Sequence, residues 1–202
     1  MQNKVFVYFS RLIESVKDIK VYPKERQAEI LSCTSKKVIS EKYTAWKLLE
    51  RALKEQFDTD IEKVNFEKQK NGKWVMDKGY FSISHSNGVC LVALLDTPVG
   101  IDLEKPIKVA KRLCDRLLTE KEEAFFNALP EKEKESYISK MWTKKESIFK
   151  FLGSGVFSPK EIESENYFTI TKSLTLFNEE FLMSITTEKK TSEIVFLQKD
   201  FE

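Results

Sequence analysis

The 202-residue chain is poor in the residues that define several protein classes: one histidine, three cysteines, six glycines and five prolines. With His85 alone and Cys33, Cys90 and Cys114 at no paired spacing, Cys/His zinc sets are excluded, and any metal must be held by oxygen. An odd number of widely separated cysteines argues against a disulfide framework and for a reducing cytoplasm. Scarce Gly and Pro exclude collagen-like and low-complexity chains. The longest apolar run, Val89 to Leu95, falls far short of the ~20 residues that cross a bilayer. Met1 is followed by no basic region leading into an apolar one, so no leader is expected. Lys and Arg number 34 against 32 Asp and Glu, a net +2. That balance excludes a duplex binder relying on phosphate neutralisation and leaves room only for a local basic pocket. G-x-S-x-G is absent, and Gly153-Ser154-Gly155 is too short for a phosphate loop and follows a helix.

What is present is core material. Hydrophobic residues make up 41% of the chain, with 15 Phe, six Tyr and three Trp. This suffices for one large domain or two small ones without staples. Val5 to Phe9 reads as a buried strand. From Ser40, a plausible N-cap, Trp46, Leu48, Leu49, Ala52, Leu53 and Phe57 recur at helical spacing. Strands are expected at Lys63–Glu67, Tyr80–Ser84, Val89–Leu95 and Val99–Leu103, with turns at Asn71-Gly72, Asn87-Gly88 and Thr97-Pro98. Val109, Leu113, Leu117 and Leu118 predict a helix, and Thr119 with Glu122 predicts a capping box opening another. Pro130 starts a longer helix with an apolar side of Tyr137, Ile138, Met141, Trp142, Ile148, Phe149 and Leu152, stopped by Gly153. Strands at 167–171, 173–177, 181–187 and 193–197 close the chain. The class is α+β in two halves, residues 1–100 and 101–202.

Three segments carry chemistry. In Gly100-Ile101-Asp102-Leu103-Glu104, alternation along a strand puts both carboxylates on one face with Cα atoms about 7 Å apart. They either grip one cation or form a solvated strand end. In Trp142-Thr143-Lys144-Lys145-Glu146-Ser147-Ile148-Phe149-Lys150, residues 142, 146 and 150 share a helical stripe. Glu146 and Lys150 there are either an ordinary helix pair or site residues adjoining the apolar side. In Phe81-Ser82-Ile83-Ser84-His85-Ser86, the lone imidazole among hydroxyls is either structural or one arm of an anion site.

Taken together, F-S-I-S-H-S at 81–86, G-I-D-L-E at 100–104 and W-T-K-K-E-S-I-F-K at 142–150 resemble the 4'-phosphopantetheinyl transferase superfamily, in its Sfp-like branch, in both order and separation. The resemblance implies a monomer of two similar α+β halves related by pseudo-two-fold symmetry, with the active site at their interface. It implies transfer of the phosphopantetheine arm of coenzyme A to a serine of an apo acyl or peptidyl carrier protein, with magnesium, releasing adenosine 3',5'-bisphosphate. By the family match, Asp102, Glu104 and Glu146 form the metal set. Glu146 takes the proton of the incoming serine, and Lys150 contacts the pyrophosphate. Ser84 and His85 are assigned to the nucleotide phosphates, Lys73 to the adenine edge, and Lys42 to the 3'-phosphate, where members commonly have arginine. A lysine keeps that charge without the bidentate fork.

Near Pro23 the chain departs from the pattern: Lys24 and Arg26 are basic, while Glu25 and Ala28 replace common lysines, with Lys36 and Lys37 as candidates to compensate. Glu122 is explained by its capping box, and Lys108, Lys111 and Arg112 form either a carrier-facing rim or a solvated helix face. Two other classes use the same residues: a catalytically silent relative that binds coenzyme A or a carrier protein, and a magnesium-dependent nucleotide pyrophosphatase with water as nucleophile.

Overall fold

The computed structural model describes residues 4–201 except Ser154 and Ser192; Met1 and the centre of the Gly153-Ser154-Gly155 run lie outside the described residues. The element order is β1 (Lys4–Arg11), α1 (Lys24–Leu31), α2 (Lys36–Phe57), β2 (Phe66–Lys68), β3 (Trp74–Met76), β4 (Tyr80–Ser86) and β5 (Val89–Leu95). Then come β6 (Val99–Glu104), α3 (Lys111–Leu117), α4 (Glu120–Ala128), α5 (Glu131–Leu152), β7 (Phe168–Leu176), β8 (Glu179–Thr187) and β9 (Glu193–Gln198). This is a mixed α+β chain. Its contacts divide it into two compact units, one running up to Pro98 and taking in the residues from Thr191 onward, the other Val99–Lys190.

In the first unit the sheet order is β4-β5-β1-β9, with β1 antiparallel to β5 and parallel to β9. The apolar run of β5 is buried over six of its seven residues because a strand lies on each side and α2 covers a face. Asn87 and Gly88 both adopt positive φ, 45° and 78°, which suits the two-residue turn between β4 and β5. Trp46 of α2 is fully buried, with the Tyr22, Phe66 and Trp74 rings 4.8–5.4 Å away.

Several expectations change here. Helix α2 starts four residues before Ser40: Ser35 is the N-cap, accepting from the Val38 N–H at 3.4 Å, while Ser40 is buried within the helix. Residues 61–63 form a 3-10 turn and the strand begins only at Phe66. The final strand leaves the second-half cluster where the sequence reading put it and pairs with β1, from Lys4 opposite Glu193. An ion pair of 2.8 Å marks that register.

The second unit has the antiparallel sheet β6-β8-β7, covered on one face by α5. Residues 168–176 are one nine-residue strand instead of two, because β7 pairs with β8 without interruption. The capping box of Thr119 and Glu122 is present, and α5 runs from Pro130 as N-cap to Gly153 at φ 69°. The apolar side of α5 splits. Tyr137, Ile138, Met141 and Trp142 pack with Leu117 of α3, Leu118 that caps it and Phe126 of α4. Leu152 is 47% exposed.

The side of α5 that meets the sheet carries a row of hydroxyls. Ser139, Thr143 and Ser147, each 0% exposed, recur every four residues. Ser147 Oγ lies 2.8 Å from Thr186 Oγ1, and Ser184 Oγ donates to Thr143 Oγ1 at 3.0 Å. Thr186 and Ser184 in turn bond Thr169 and Thr171 across β7 at 2.9 and 2.8 Å. Every buried hydroxyl in this row is satisfied, and small side chains let helix and sheet approach closely.

Candidate functional site

Close approach of α5 to β6 builds the acidic part of the site. On β6, Gly100, Asp102 and Glu104 alternate onto the face that α5 covers, opposite Thr186, Ser184 and Leu182 of β8. A Cβ on Gly100 would lie 1.9 Å from the Ser147 carbonyl oxygen, so this glycine is required for space.

Burial removes one of the two readings of the D-x-E segment. Asp102 is only 3% exposed and is no solvated strand end, and Glu104 is half-buried. Lys150, in the last turn of α5 and one turn beyond Glu146, places Nζ 2.7 Å from Asp102 Oδ1. Thus Glu146 and Lys150 are not an isolated helix pair, because the lysine reaches across to the strand.

Glu146 sits one turn before Lys150 and is half-buried. Burial pushes its carboxyl above the usual range, Lys150 opposes that shift, and the charges of Asp102 and Glu104 add to it. The three carboxylates and the ammonium therefore share one field within a single unit. Among the described residues no group of three His, Cys, Asp or Glu side chains is drawn together tightly enough to hold a metal. The donor chemistry nevertheless suits a hard divalent ion: oxygen ligands only, with an excess of negative charge beside one cation.

The remaining expected residues belong to the other unit. Ser84 is buried on β4, and His85 beside it points Nδ1 to Glu41 Oε1 at 3.5 Å, which ties this strand end to α2. Lys73 follows the Asn71-Gly72 turn, where its N–H donates to Asn71 Oδ1 at 3.0 Å, and burial pulls its ammonium below the ordinary lysine value. Lys42 Nζ donates to the Glu29 carbonyl of α1 at 3.2 Å. Lys36 and Lys37 are exposed and, with Arg11, Ser40 and Gly88, line an open depression of about 930 Å³.

Arg26 is a different matter. Its guanidinium lies 5.1 and 5.2 Å from the Trp46 and Trp74 ring centres and pairs with Glu29 at 2.9 Å. With its side chain 10% exposed it is a core residue, and the basic character read near Pro23 reduces to Lys24 at the surface.

Lys145 carries no expectation from the sequence beyond its place in the motif. It is 0% exposed, and its Nζ donates to Glu122 Oε2 at 2.6 Å and to the Leu117 carbonyl at 2.8 Å. Burial pulls its ammonium down while Glu122 opposes the shift. Glu122 is thus more than a cap. No local signal announces a pair 23 residues apart; the only hint is a lysine flanking the apolar stripe.

A family model for the 4'-phosphopantetheinyl transferase superfamily matches residues 98–199, which takes in β6 through β9 and all four acidic-site residues. The 4'-phosphopantetheinyl transferase psf-1 of Bacillus pumilus is 32% identical over 114 residues, covering 54% of this chain and 48% of the relative. The 4'-phosphopantetheinyl transferase Sfp of Bacillus subtilis is 28% identical over 115 residues, 55% and 51% of the two chains. HetI of Nostoc, also a 4'-phosphopantetheinyl transferase, is 30% identical over 109 residues, 50% and 46%. The chain spans about half the length of the curated relatives it matches. With just over half of its residues under the family model, the chain belongs to the 4'-phosphopantetheinyl transferase superfamily.

Proposed function

We propose that the protein transfers the 4'-phosphopantetheine group of coenzyme A to a serine hydroxyl of an apo acyl or peptidyl carrier protein, releasing adenosine 3',5'-bisphosphate. The observation that carries this reading is the Asp102–Lys150 pair at 2.7 Å beside Glu146, set on a strand and helix that fall within the family match. Asp102, Glu104 and Glu146 would hold magnesium, which supplies neutralisation of charge on the pyrophosphate oxygens when bound.

The chain's own groups do the rest. The serine oxygen forms a bond to the phosphorus that carries the pantetheine arm, and the bond from that phosphorus to the bisphosphate oxygen breaks. Glu146, made more basic by burial, accepts the serine proton directly or through water. Lys150, oriented by Asp102, stabilises charge on the leaving phosphate. Ser84 and His85 serve the nucleotide phosphates, Lys73 the adenine edge and Lys42 the 3'-phosphate, with positioning and electrostatics supplying most of the rate.

No helix among the described residues is long and apolar enough to cross a membrane, and no disulfide joins Cys33, Cys90 or Cys114. We take the setting to be cytoplasmic and the working form to be the single chain. Incubation with coenzyme A, magnesium and a panel of apo carrier proteins is expected to add the mass of one phosphopantetheine. No gain on any carrier refutes the transferase. Magnesium-dependent coenzyme A binding by calorimetry without turnover would mark a silent relative, and bisphosphate release without a carrier would mark a pyrophosphatase.

A further inference from the structure

Lysine is among the side chains least often fully buried, yet Lys145 has no exposed surface while Lys144 and Glu146 on either side of it retain some. Its ammonium bonds two segments directly and is linked through Glu122 to a third. It donates to the Leu117 carbonyl in the last turn of α3, one of the groups a helix end leaves unsatisfied. It also donates to Glu122 Oε2, which accepts the Thr119 N–H at 2.9 Å and so belongs to the cap of α4. The second oxygen of Glu122 accepts from Ser164 Oγ at 3.3 Å, in the 3-10 turn at residues 164–166.

Stability alone is a poor reason for such a pair. Desolvating two charges offsets most of their attraction, and apolar residues of similar volume often replace a buried pair without loss. What an apolar pair lacks is direction. Consecutive residues of a helix are rotated by about 100°, so a side chain bonded at fixed angles toward α3 and α4 sets where the next one points. The next one is Glu146. On the sheet side, the hydroxyls of Thr143 and Ser147 bond Ser184 and Thr186. Helix α5 is therefore held by directional bonds on two sides, with residues 146 and 150 between them in rotation.

We infer that Lys145 and Glu122 are positioning residues that set the rotation of α5, and with it the aim of Glu146 and Lys150 at Asp102 and Glu104. The inference rests on the proposed transferase reaction only for its activity readout. The test is the double variant Lys145→Met/Glu122→Leu, with Glu122→Gln beside it.

Two quantities are measured after a denaturant melt establishes that each variant folds. The first is the split between kcat and KM for coenzyme A in carrier modification. A roughly tenfold or greater fall in kcat with KM within about twofold is expected of the double variant, about 1.4 kcal/mol per tenfold. The second needs no activity: the energetic coupling between Asp102 and Lys150 from a double-mutant cycle, measured with and without the Lys145–Glu122 pair. Its loss in the paired-off background is expected, because a helix free to rotate no longer delivers Lys150 to Asp102.

Unchanged kcat together with unchanged coupling overturns the inference. Lost coupling in a protein that transfers nothing to any carrier refutes the transferase reading and leaves the positioning role standing. If the double variant does not fold, Glu122→Gln carries the test, with about a threefold fall in kcat and weakened coupling expected; wild-type values of both overturn the role.

Discussion

Replacing Gly100 with alanine tests how closely α5 must lie on β6 for the site to work. The added Cβ would meet the Ser147 carbonyl oxygen at 1.9 Å, the Phe151 nitrogen at 2.5 Å and Phe151 Cβ at 2.9 Å. Two of these are backbone atoms, so no rotamer change relieves the clash. Ordinary contact begins near 3.4 Å, so strand and helix must part by about 1.5 Å. The 2.7 Å bond from Lys150 to Asp102 would stretch to roughly 4 Å, past hydrogen-bonding range. The row of Ser147–Thr186 and Thr143–Ser184 bonds would open with it, exposing buried hydroxyls to a loss of partners.

Overpacking of this kind costs about 1–3 kcal/mol, and a misplacement of about 1 Å at reacting groups costs about 100-fold in rate. Gly100→Ala is therefore expected to fold with a lowered melting temperature and to modify an apo carrier at least ~100-fold more slowly. Gly155→Ala is the control. Gly155 has φ +89° with nothing within 4 Å of an added Cβ, so it should lose about 1 kcal/mol of stability and keep its turnover. Wild-type turnover in Gly100→Ala, or equal losses in both variants, would refute the reasoning.

Three further outcomes are expected. Asp102→Asn and Glu146→Gln should each lower kcat by about 100-fold or more while melting cooperatively, as read by carrier mass gain and a denaturant melt. Arg26→Ala should cost about 2–3 kcal/mol in the melt, since it removes a cation packed on two indoles and leaves Glu29 without that partner, and should leave KM for coenzyme A unchanged. Burial lifts the Tyr8 and Tyr137 hydroxyls from the ordinary 10 to about 12. With the folded value above the unfolded one, the stability tied to them is whole below pH 10 and is lost as pH rises through 12. Absorbance at the phenolate band should show this late titration coinciding with unfolding, and ionisation of both groups near pH 10 in the folded protein would contradict it.

Much of the acidic site was legible because its residues repeat with the period of their elements. D-x-E on a strand shares a face, and E-x-x-x-K on a helix shares a stripe, whatever packs against them. The turn at Asn87-Gly88, the capping box at Thr119 and the stop at Gly153 follow from backbone chemistry that needs no distant partner. Other features were hidden for equally physical reasons. Ser40 is a good N-cap residue by composition, but tertiary packing turned it inward and left the cap to Ser35. The eight residues of α1, K-E-R-Q-A-E-I-L, contain too few apolar side chains to show a period. Arg26 and Lys145 carry charge and therefore read as surface, though one lies against two indoles and the other is fully buried against the Leu117 and Glu122 oxygens. Hydrophobic periodicity also cannot detect a buried helix face made of Ser139, Thr143 and Ser147.

By itself, then, the chain's order of residues determined the local elements and the identity of the acidic and basic groups, because dihedral preferences, caps and side-chain periods act within a few residues. Tertiary structure decided which groups meet: Lys150 with Asp102, Lys145 with Glu122, β9 with β1. Those pairings join residues tens to nearly two hundred positions apart, and they depend on how closely two surfaces approach, as Gly100 against Ser147 shows, a distance written in no local pattern.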